Sequence, residues 1–217
     1  MPIIFLHNMP TNKALSSQTQ SSKAEHVFVI EDDDGMRHTI QVILKLLDYV
    51  VHAFKDPNEF LAIDFLEAPA VVITDMKMPS MTGIELQAEL LARGQNIPIV
   101  FVSGQSSLEQ GLMAMKQGAL EFLVKPFSRE DLIKAVVKGI AKDMERLQAL
   151  NRSEKVALLL KTLTKSELEV FKLLEKGFNN QEIVQATGLT LYTAKNYKAK
   201  VMQKLGIKSL AELLRLK

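Results

Sequence analysis

The chain has 217 residues, of which 47% are hydrophobic, and it contains no cysteine. This composition indicates a soluble globular protein, and the lack of cysteine excludes disulfide bonds and thiolate metal sites. No apolar run is long enough to span a bilayer, so we expect a cytoplasmic protein that does not associate with a membrane.

The net charge of +2 hides a difference between two parts of the chain. Residues 26–127 hold 7 Lys/Arg and 14 Asp/Glu, a net charge of −7, whereas residues 163–217 hold 10 and 5, a net charge of +5. An acidic segment suits a cation, and a basic segment suits a polyanion. We therefore expect two domains with different partners.

Residues 1–25 precede both domains and contain a run of Ser, Thr and Gln at positions 16–22. Little apolar periodicity follows Leu6, which is typical of a segment without a packed core. We expect these residues to form a disordered leader.

From His26 onward, short apolar runs alternate with stretches of helical length. The helical stretches are 36–47, 58–67, 84–93, 108–117 and one that begins at 128. This alternation predicts an α/β domain with a doubly wound, flavodoxin-like sheet of five parallel strands and five helices. We expect residues 26–127 to form its core.

Four of the apolar runs end in residues that can carry chemistry. The runs are 27–30, 71–74, 97–102 and 122–124, and the residues that follow them are Glu31-Asp32, Asp75, Ser103 and Lys125. The carboxyl ends of parallel strands lie along one edge, where open α/β sheets keep their sites. Each run alone is also compatible with an ordinary strand and a solvated loop. The four together favour a common site.

Carboxylates gathered at such an edge require a cation. Two of them about 4 Å apart repel by roughly 4 kcal/mol at an effective dielectric constant near 20, so a metal with oxygen ligands is needed to keep both ionised. We infer Mg²⁺. With a lysine ammonium and a hydroxyl nearby, the site could hold a transferring phosphoryl group, with Asp75 as the nucleophile. The predicted product is an aspartyl phosphate.

With these motifs, residues 26–127 resemble the receiver domain of two-component response regulators. The resemblance implies that Asp75 is the phosphoacceptor and that Lys125 binds the phosphate. It also implies that Ser103 is the switch hydroxyl and that Phe122 changes rotamer with it.

The same resemblance implies how the metal is held. Asp32 would be a direct Mg²⁺ ligand with Glu31 beside it, and Asp75 and the backbone carbonyl of Lys77 would complete the protein ligands. The Lys77 side chain and Gln105 stand where the family tunes the lifetime of the phosphoaspartate. Glu31 stands where Asp is more usual in the family.

Residues 128–162 are predicted to be the fifth helix of this domain and a helical linker. The segment from Ser128 to Asp131 resembles a capping box at the start of the helix. Apolar positions keep helical spacing far enough to carry the helix toward Leu150, and a second helical piece is expected over 155–160. The linker is either a spacer or a source of dimer contacts, and the sequence leaves both open.

Residues 163–217 are predicted to form a compact unit of four helices. Helix-opening motifs begin at Thr164, Asn179 and Ser209. A short helix over 181–186 meets a longer one over 191–205 through the turn 187–190, which is the spacing of a helix-turn-helix motif.

The longer helix carries Ala194, Val201 and Leu205 on an apolar face and polar side chains on the opposite face. The polar face offers donors for base edges, and Lys204 is one of three lysines expected near phosphates. A merely solvated face is the alternative, but the turn and the positive charge favour DNA binding. The predicted DNA contacts are Tyr192, Thr193, Lys195, Asn196, Lys198, Ala199 and Lys200.

The tail over 163–214 resembles the LuxR-type helix-turn-helix, and the whole chain resembles response regulators of the NarL/FixJ family. The matching landmarks are Leu163-Thr164, Glu167-Leu168-Glu169-Val170, Gly177, Asn180-Gln181-Glu182-Ile183, Thr193-Ala194-Lys195, Lys204-Leu205-Gly206 and Ala211-Glu212-Leu213. By resemblance, the last helix over 209–216 is a dimer surface. Closure of the core is its alternative role.

The sequence therefore predicts a phosphorylation-dependent transcriptional regulator. A sensor histidine kinase would phosphorylate Asp75, and the phosphorylated homodimer would bind double-stranded promoter DNA, with RNA polymerase as a further candidate partner. We do not expect an enzyme, and removal of the phosphoryl group from its own Asp75 is the most catalysis that we expect of this protein.

The sequence also leaves three competing functions to consider. An aspartyl-phosphate phosphatase would need a second acid shortly after the nucleophile, where the chain has Met76 and Lys77. A DNA-binding protein whose receiver responds to protein contacts would not depend on phosphorylation of Asp75. A pure protein-interaction module is disfavoured by the basic tail.

Overall fold

The computed structural model of the protein describes residues 24–64, 68–104 and 108–214. Its first unit alternates strands and helices, as the sequence pattern predicts. The strands are β1 (His26–Ile30), β2 (Val50–Phe54), β3 (Ala70–Asp75), β4 (Ile99–Ser103) and β5 (Glu121–Val124). The helices between them are α1 (Asp34–Lys45), α2 (Pro57–Leu61), α3 (Gly83–Ala92) and α4 (Leu108–Lys116).

The five described strands form one parallel sheet in the order β2-β1-β3-β4-β5. This order confirms the predicted flavodoxin-like fold. The chain winds from β1 outward to β2 and then returns to the other side of β1 with β3. Ligand sites of open α/β sheets lie outside the carboxyl ends of the strands at such a reversal. The residues that follow β1 and β3 therefore lie where a ligand site is expected.

The strands β1, β3 and β4 are buried on both faces, which explains their long apolar runs. Phe28 and Phe101 point to one face and pack with α2, α3 and α4. Val29 and Val100 point to the other face and pack with α1 and the helix that follows β5. At the carboxyl ends of these three strands the apolar runs give way to polar side chains.

The helix after β5, α5 (Arg129–Leu160), is one continuous helix of 32 residues. The expectation of two helical pieces, with an end near Leu150 and a new start at 155, was wrong. Neither glycine nor proline lies between those positions, and residues of modest helix propensity do not end a helix by themselves. At about 1.5 Å per residue the helix is roughly 48 Å long.

Close packing fixes the first half of α5 against β3. A Cβ atom at Gly139 would lie 2.4 Å from Cγ2 of Val71, so only glycine allows this approach. One turn further on, Oδ2 of the fully buried Asp143 accepts the backbone N–H of Ala70 at 2.9 Å. Arg146 pairs with the other carboxylate oxygen of Asp143 at 2.6 Å.

The second unit contains α6 (Lys165–Glu175), α7 (Asn180–Thr187), α8 (Leu191–Leu205) and α9 (Leu210–Leu214). Capping boxes join Thr164 to Glu167 and Asn179 to Glu182, as their sequences predict. Gly188, at φ 70°, ends α7 in the left-handed conformation that glycine accepts readily. These helices surround one apolar core.

Two elements from outside α6, α7 and α8 complete this core. Leu159 and Leu160, the last residues of α5, pack against it, so the long helix ends inside the second unit. Leu213 of α9 is buried in the same core. The structure thus supports the core-closing role of α9, and a dimer contact through this helix stays a prediction.

Several expectations fall on residues outside the described ranges. They concern the leader over 1–23, residues 65–67 of the expected second helix, Gln105, and the end of the last helix over 215–216. The expectation that the second helix continues over 62–64 was wrong, because α2 ends at Leu61. Among the helices of the described residues, none combines the length and the apolar character needed to cross a bilayer.

Candidate functional site

Three carboxylates meet at the carboxyl ends of β1 and β3. Ligand oxygens of Glu31, Asp32 and Asp75 all lie within 4.8 Å of one another. The strands are neighbours in the sheet, and Ile30 is in register with Thr74, so the residues that follow them are brought together. Glu31 is 2% exposed and Asp75 is 9% exposed. The structure therefore gathers the three predicted acids into one largely buried cluster.

Lys125 reaches this cluster from the end of β5. Its Nζ lies 2.7 Å from Oε2 of Glu31 and 3.0 Å from Oδ1 of Asp75. Burial by itself would lower the pKa of the Lys125 ammonium, but its hydrogen bonds and charge interactions with the two carboxylates outweigh burial and raise that pKa. Lys125 is therefore a permanent cation beside Asp75.

One ammonium does not fully compensate the buried acids. Burial raises the pKa of Glu31 above its ordinary value, and the hydrogen bond and charge of Lys125 offset only part of this effect. The nearby charge of Asp75 adds to the rise. A further cation at the cluster would stabilise the ionised form of Glu31.

The four consecutive acids after β1 have different structural roles. Only Glu31 and Asp32 belong to the cluster. Asp33 is the N-cap of α1, and its Oδ1 accepts a backbone N–H of the first turn at 2.6 Å. Asp34 pairs with Arg37 one turn later in α1.

Arg37 also holds the backbone of the acidic loop. Its Nη1 donates to the carbonyl oxygen of Glu31 at 2.7 Å and to that of Asp32 at 3.4 Å. The guanidinium thus bonds the backbone of both β1-end acids while its second nitrogen pairs with Asp34. Arg37 was not predicted from the sequence, because a bond to a backbone carbonyl leaves no pattern of side-chain types.

The backbone after β3 shapes the surroundings of Asp75. The backbone N–H of Lys77 donates to Oδ2 of Asp75 at 3.1 Å. A Cβ atom at Gly83 would lie 2.5 Å from the carbonyl oxygen of Asp75 and 2.8 Å from the ring of Phe101. Glycine at position 83 therefore lets the start of α3 approach the end of β3. The carbonyl of Lys77 as a metal ligand stays a prediction.

Ser103 and Phe122 lie in the two strands beyond β3. Ser103 ends β4 in a buried position, and its carbonyl accepts the backbone N–H of Lys125 at 2.8 Å. Phe122 is half-buried in β5 and faces Gly111 of α4. Ser103 therefore shares the edge of the sheet with the acids, while Phe122 lies beside α4. Their coupled movement stays a prediction.

The second candidate site is the outer surface of α8. Tyr192 is 80% exposed, and Lys195, Asn196, Ala199 and Lys200 are also exposed. The remaining two predicted contacts are less accessible. Thr193 is half-buried and its hydroxyl is hydrogen-bonded to that of Thr190 at 2.8 Å, and Lys198 is half-buried.

Lys204, which was expected near a phosphate, is engaged inside the helical unit. Its Nζ lies 2.6 Å from Oε2 of the buried Glu167 and donates to the carbonyl oxygen of Thr162 at 3.0 Å. The sequence pattern did not indicate this pairing, because Glu167 and Lys204 lie on different helices, 37 positions apart, and the pattern does not say how these helices pack.

An α/β domain with an acidic cluster and a lysine at the edge of its sheet, joined to a helix-turn-helix unit, defines the response regulators that bind DNA. Comparison with known families agrees. Residues 27–137 match the family described as the response regulator receiver domain, and residues 161–217 match the bacterial regulatory proteins of the luxR family.

The chain is also similar over most of its length to individual proteins. It is 33% identical to Nodulation protein W of Bradyrhizobium diazoefficiens over 91% of this chain and 87% of that protein. It is 31% identical to the transcriptional regulatory protein TdiR of Thauera aromatica, with coverages of 90% and 86%.

Two solved structures are similar to both units together. The response regulator StyR is 35% identical, with a TM-score of 0.75 and coverage of 89% of this chain and 98% of that chain. Full-length FixJ from B. japonicum is 29% identical, with a TM-score of 0.54 and coverages of 89% and 96%.

The chain therefore belongs to the response regulator family, as a NarL/FixJ-type member with a receiver domain and a LuxR-type DNA-binding domain. It is a DNA-binding transcriptional regulator of a two-component system and not a classical enzyme.

Proposed function

We propose that Asp75 accepts a phosphoryl group from a sensor histidine kinase, and that this modification promotes dimerisation and promoter binding. The observation that carries the proposal is the position of Asp75. Its carboxylate ends β3, lies 3.0 Å from the Lys125 ammonium and belongs to a cluster with two further acids. This is the arrangement that a phosphoryl group with its negative oxygens requires.

The acids also suit Mg²⁺ as a cofactor. Mg²⁺ takes oxygen ligands and is commonly held by one or two carboxylates together with waters and phosphate oxygens. Glu31, Asp32, Asp75 and the carbonyl of Lys77 would hold it in this protein, and the raised pKa of Glu31 supports the need for a cation there. The ion would neutralise charge that the phosphoryl group brings into the site.

In the transfer, the Asp75 carboxylate would be the nucleophile. One carboxylate oxygen forms a new P–O bond, the P–N bond of a kinase phosphohistidine breaks, and its electron pair leaves with the imidazole. Lys125 would balance the negative phosphoryl oxygens. The backbone N–H of Lys77 orients the carboxylate through its bond to Oδ2.

The phosphorylated receiver would act through the surface near α4 and β5. Ser103 and Phe122 would move toward the phosphoryl group and change this surface. Its exposed apolar side chains support a docking role, since they are costly to leave in water. They are Leu112, Met113, Met115 and Val124. We propose that two phosphorylated chains associate there.

Dimerisation would place two α8 helices on one DNA duplex. Dimeric helix-turn-helix proteins bind half-sites about 34 Å apart, so we expect a pseudo-palindromic operator. Tyr192, Lys195, Asn196, Ala199 and Lys200 would form the contact surface, because they are exposed on the same helix. Thr193 and Lys198 would contribute at its margin. Contacts with RNA polymerase and a cytoplasmic location stay predictions.

A binding experiment tests this proposal. It uses DNA duplexes that the protein selects from a random-sequence pool. Acetyl phosphate with Mg²⁺ should increase binding of the wild type to a selected pseudo-palindromic duplex and leave the Asp75→Asn variant unchanged. Equal responses of the two proteins would instead favour a receiver that is regulated by protein contacts. Equal binding to a single isolated half-site would contradict the dimer.

A further inference from the structure

Lys204 makes two interactions that tie its ammonium to other elements of the DNA-binding domain. In the last turn of α8, its Nζ lies 2.6 Å from Oε2 of Glu167 and 3.0 Å from the carbonyl oxygen of Thr162. Glu167 is 3% exposed, so little water is available to replace the lysine as its partner. Both interactions engage the ammonium, although 34% of the Lys204 side chain remains exposed.

The two partners of Lys204 belong to different elements. Glu167 lies in the first turn of α6, where the same Oε2 accepts the backbone N–H of Thr164 at 2.8 Å in the capping box. Thr162 lies just beyond α5, and its hydroxyl bonds the carbonyl of Leu159 at 2.7 Å. A single ammonium therefore joins the end of α8 to the start of α6 and the end of α5.

The carboxylate of Glu167 is stabilised in its ionised form by its partners in this junction. The hydrogen bond from Lys204 is the main cause that lowers the pKa of Glu167, and the bond from the Thr164 backbone lowers it further. Glu167 is consequently ionised when the protein is folded, and the pairing with Lys204 is maintained. The junction also adjoins Leu160, through which α5 enters the core of the domain.

We propose that Lys204 is a positioning residue for DNA binding, which fixes α8 against α5 and α6 and makes no contact with phosphate. This inference rests on the proposed role of α8 as the DNA-contacting helix. The orientation of α8 decides whether the side chains near its amino end, such as Tyr192 and Asn196, reach their bases. Loss of the junction would misalign these contacts without removing a charge from the interface.

The salt dependence of binding separates positioning from phosphate contact. Each lysine that neutralises a phosphate adds about 0.9 to the negative slope of log K against log salt concentration. A residue that only positions the helix changes the affinity and leaves the slope unchanged. Lys200 is the matched comparison, because it is an exposed lysine on the same helix, one turn earlier.

The experiment uses the full-length protein and a duplex that the wild type selects from a random-sequence pool. Affinities of the wild type, Lys204→Met, Glu167→Gln and Lys200→Met are measured between about 50 and 200 mM salt. We expect Lys204→Met and Glu167→Gln to weaken binding by roughly tenfold, which is the effect of losing one base contact, at an unchanged slope. We expect Lys200→Met to lower the slope by about 0.9.

The Glu167→Gln variant distinguishes a positioning role of Lys204 from a phosphate contact, because the two roles predict opposite changes in DNA affinity. If Lys204 binds a phosphate, removing the charge of Glu167 frees the ammonium, and binding is unchanged or stronger. That result, or a slope reduced by about 0.9 in Lys204→Met, would overturn the inference. Lys204→Arg keeps a cation that can bond Glu167 and should restore most of the affinity.

Folding and the underlying function are controlled separately. Circular dichroism selects a temperature at which the compared variants are folded, and if Lys204→Met does not fold, Glu167→Gln and Lys204→Arg carry the test. If Tyr192→Ala, Asn196→Ala, Lys195→Met and Lys200→Met all bind as tightly as the wild type, α8 does not contact DNA. The proposed role of α8 would then fail together with the inference, an outcome distinct from failure of the Lys204 account alone.

Discussion

Gly83 packs against Asp75 so closely that a Cβ atom at position 83 would lie 2.5 Å from the Asp75 carbonyl oxygen. The Gly83→Ala substitution must therefore displace the end of β3 or the start of α3. We expect it to destabilise the receiver by about 1–3 kcal/mol, as overpacked core positions do. Urea unfolding measures this loss. Because the displaced backbone carries Asp75, the rate of phosphorylation by acetyl phosphate should also fall.

Gly111 supplies the control for that substitution. A Cβ atom there would lie 3.9 Å from the ring of Phe122, which is an ordinary contact, and the residue is inside α4. Gly111→Ala should be neutral or stabilise the protein by up to about 1 kcal/mol. Wild-type phosphorylation of Gly83→Ala would contradict the proposed importance of this close approach.

Arg37 should determine how tightly the acidic loop binds Mg²⁺. Replacing it with methionine removes the donors to the carbonyl oxygens of Glu31 and Asp32. Loss of an outer-shell partner lowers metal affinity by about 10–100-fold, and we expect a decrease in this range. Isothermal titration with Mg²⁺ measures it without phosphorylation.

Asp34→Asn is the matched variant for Arg37, because it weakens the ion pair and keeps the bonds from Arg37 to the loop backbone. We expect its Mg²⁺ affinity to remain close to that of the wild type. Equal affinities of Arg37→Met and the wild type would show that the loop keeps its shape without the guanidinium.

Asp143 should stabilise the receiver through a buried bond between α5 and β3. In Asp143→Ala the N–H of Ala70 loses its acceptor, which costs about 1–3 kcal/mol of unfolding free energy. Asp143→Asn keeps an acceptor oxygen and should lose less. Urea unfolding compares both with Glu145→Ala, an exposed substitution on the same helix. A loss in Glu145→Ala as large as in Asp143→Ala would contradict this role.

The His26 and His52 pair should make the receiver less stable in mild acid. Their ring nitrogens lie 2.9 Å apart, and burial lowers the pKa of both residues, with the charge of His52 lowering that of His26 further. The unfolded chain therefore binds more protons than the folded one once the pH falls below about 6.5. The stabilisation is complete above this pH and is lost progressively as the pH falls from there toward the folded pKa values.

Urea unfolding at about pH 7.5 and about pH 5.5 measures the size of this effect. The double variant His26→Asn, His52→Phe should lose less stability between the two pH values than the wild type. His38→Gln, which removes an exposed imidazole from α1, serves as the control. An identical loss in the double variant and the wild type would exclude the pair as the cause.

The strands and the acidic site were predictable because both depend on local sequence. Apolar runs gave the strands, and the parallel arrangement then placed Asp75 and Lys125 at a common edge. The interactions of Arg37 and Lys204 were not predictable, since they depend on backbone carbonyls and on the packing of α8 against α6, which no strand order determines. Asp143 did leave a signal, because it falls on the buried face of α5 with Val136 and Ile140.

The continuity of α5 was not predicted, for a different reason. A second helical piece was expected from 155, yet residues 151–154 include neither glycine nor proline, and the helix continues through them. The helix ends of the second unit were easier to predict. Thr164 and Asn179 cap helices with their side chains, and Gly188 ends α7 because glycine accepts the left-handed conformation.

The mass of the intact protein after incubation with Mg²⁺ and acetyl phosphate tests the central claim most directly. The account predicts that the wild type gains one phosphoryl group, that the group is lost in base, and that Asp75→Asn gains none. An equal gain by Asp75→Asn, or no gain by the folded wild type with either acetyl phosphate or a phosphorylated histidine kinase, would contradict it.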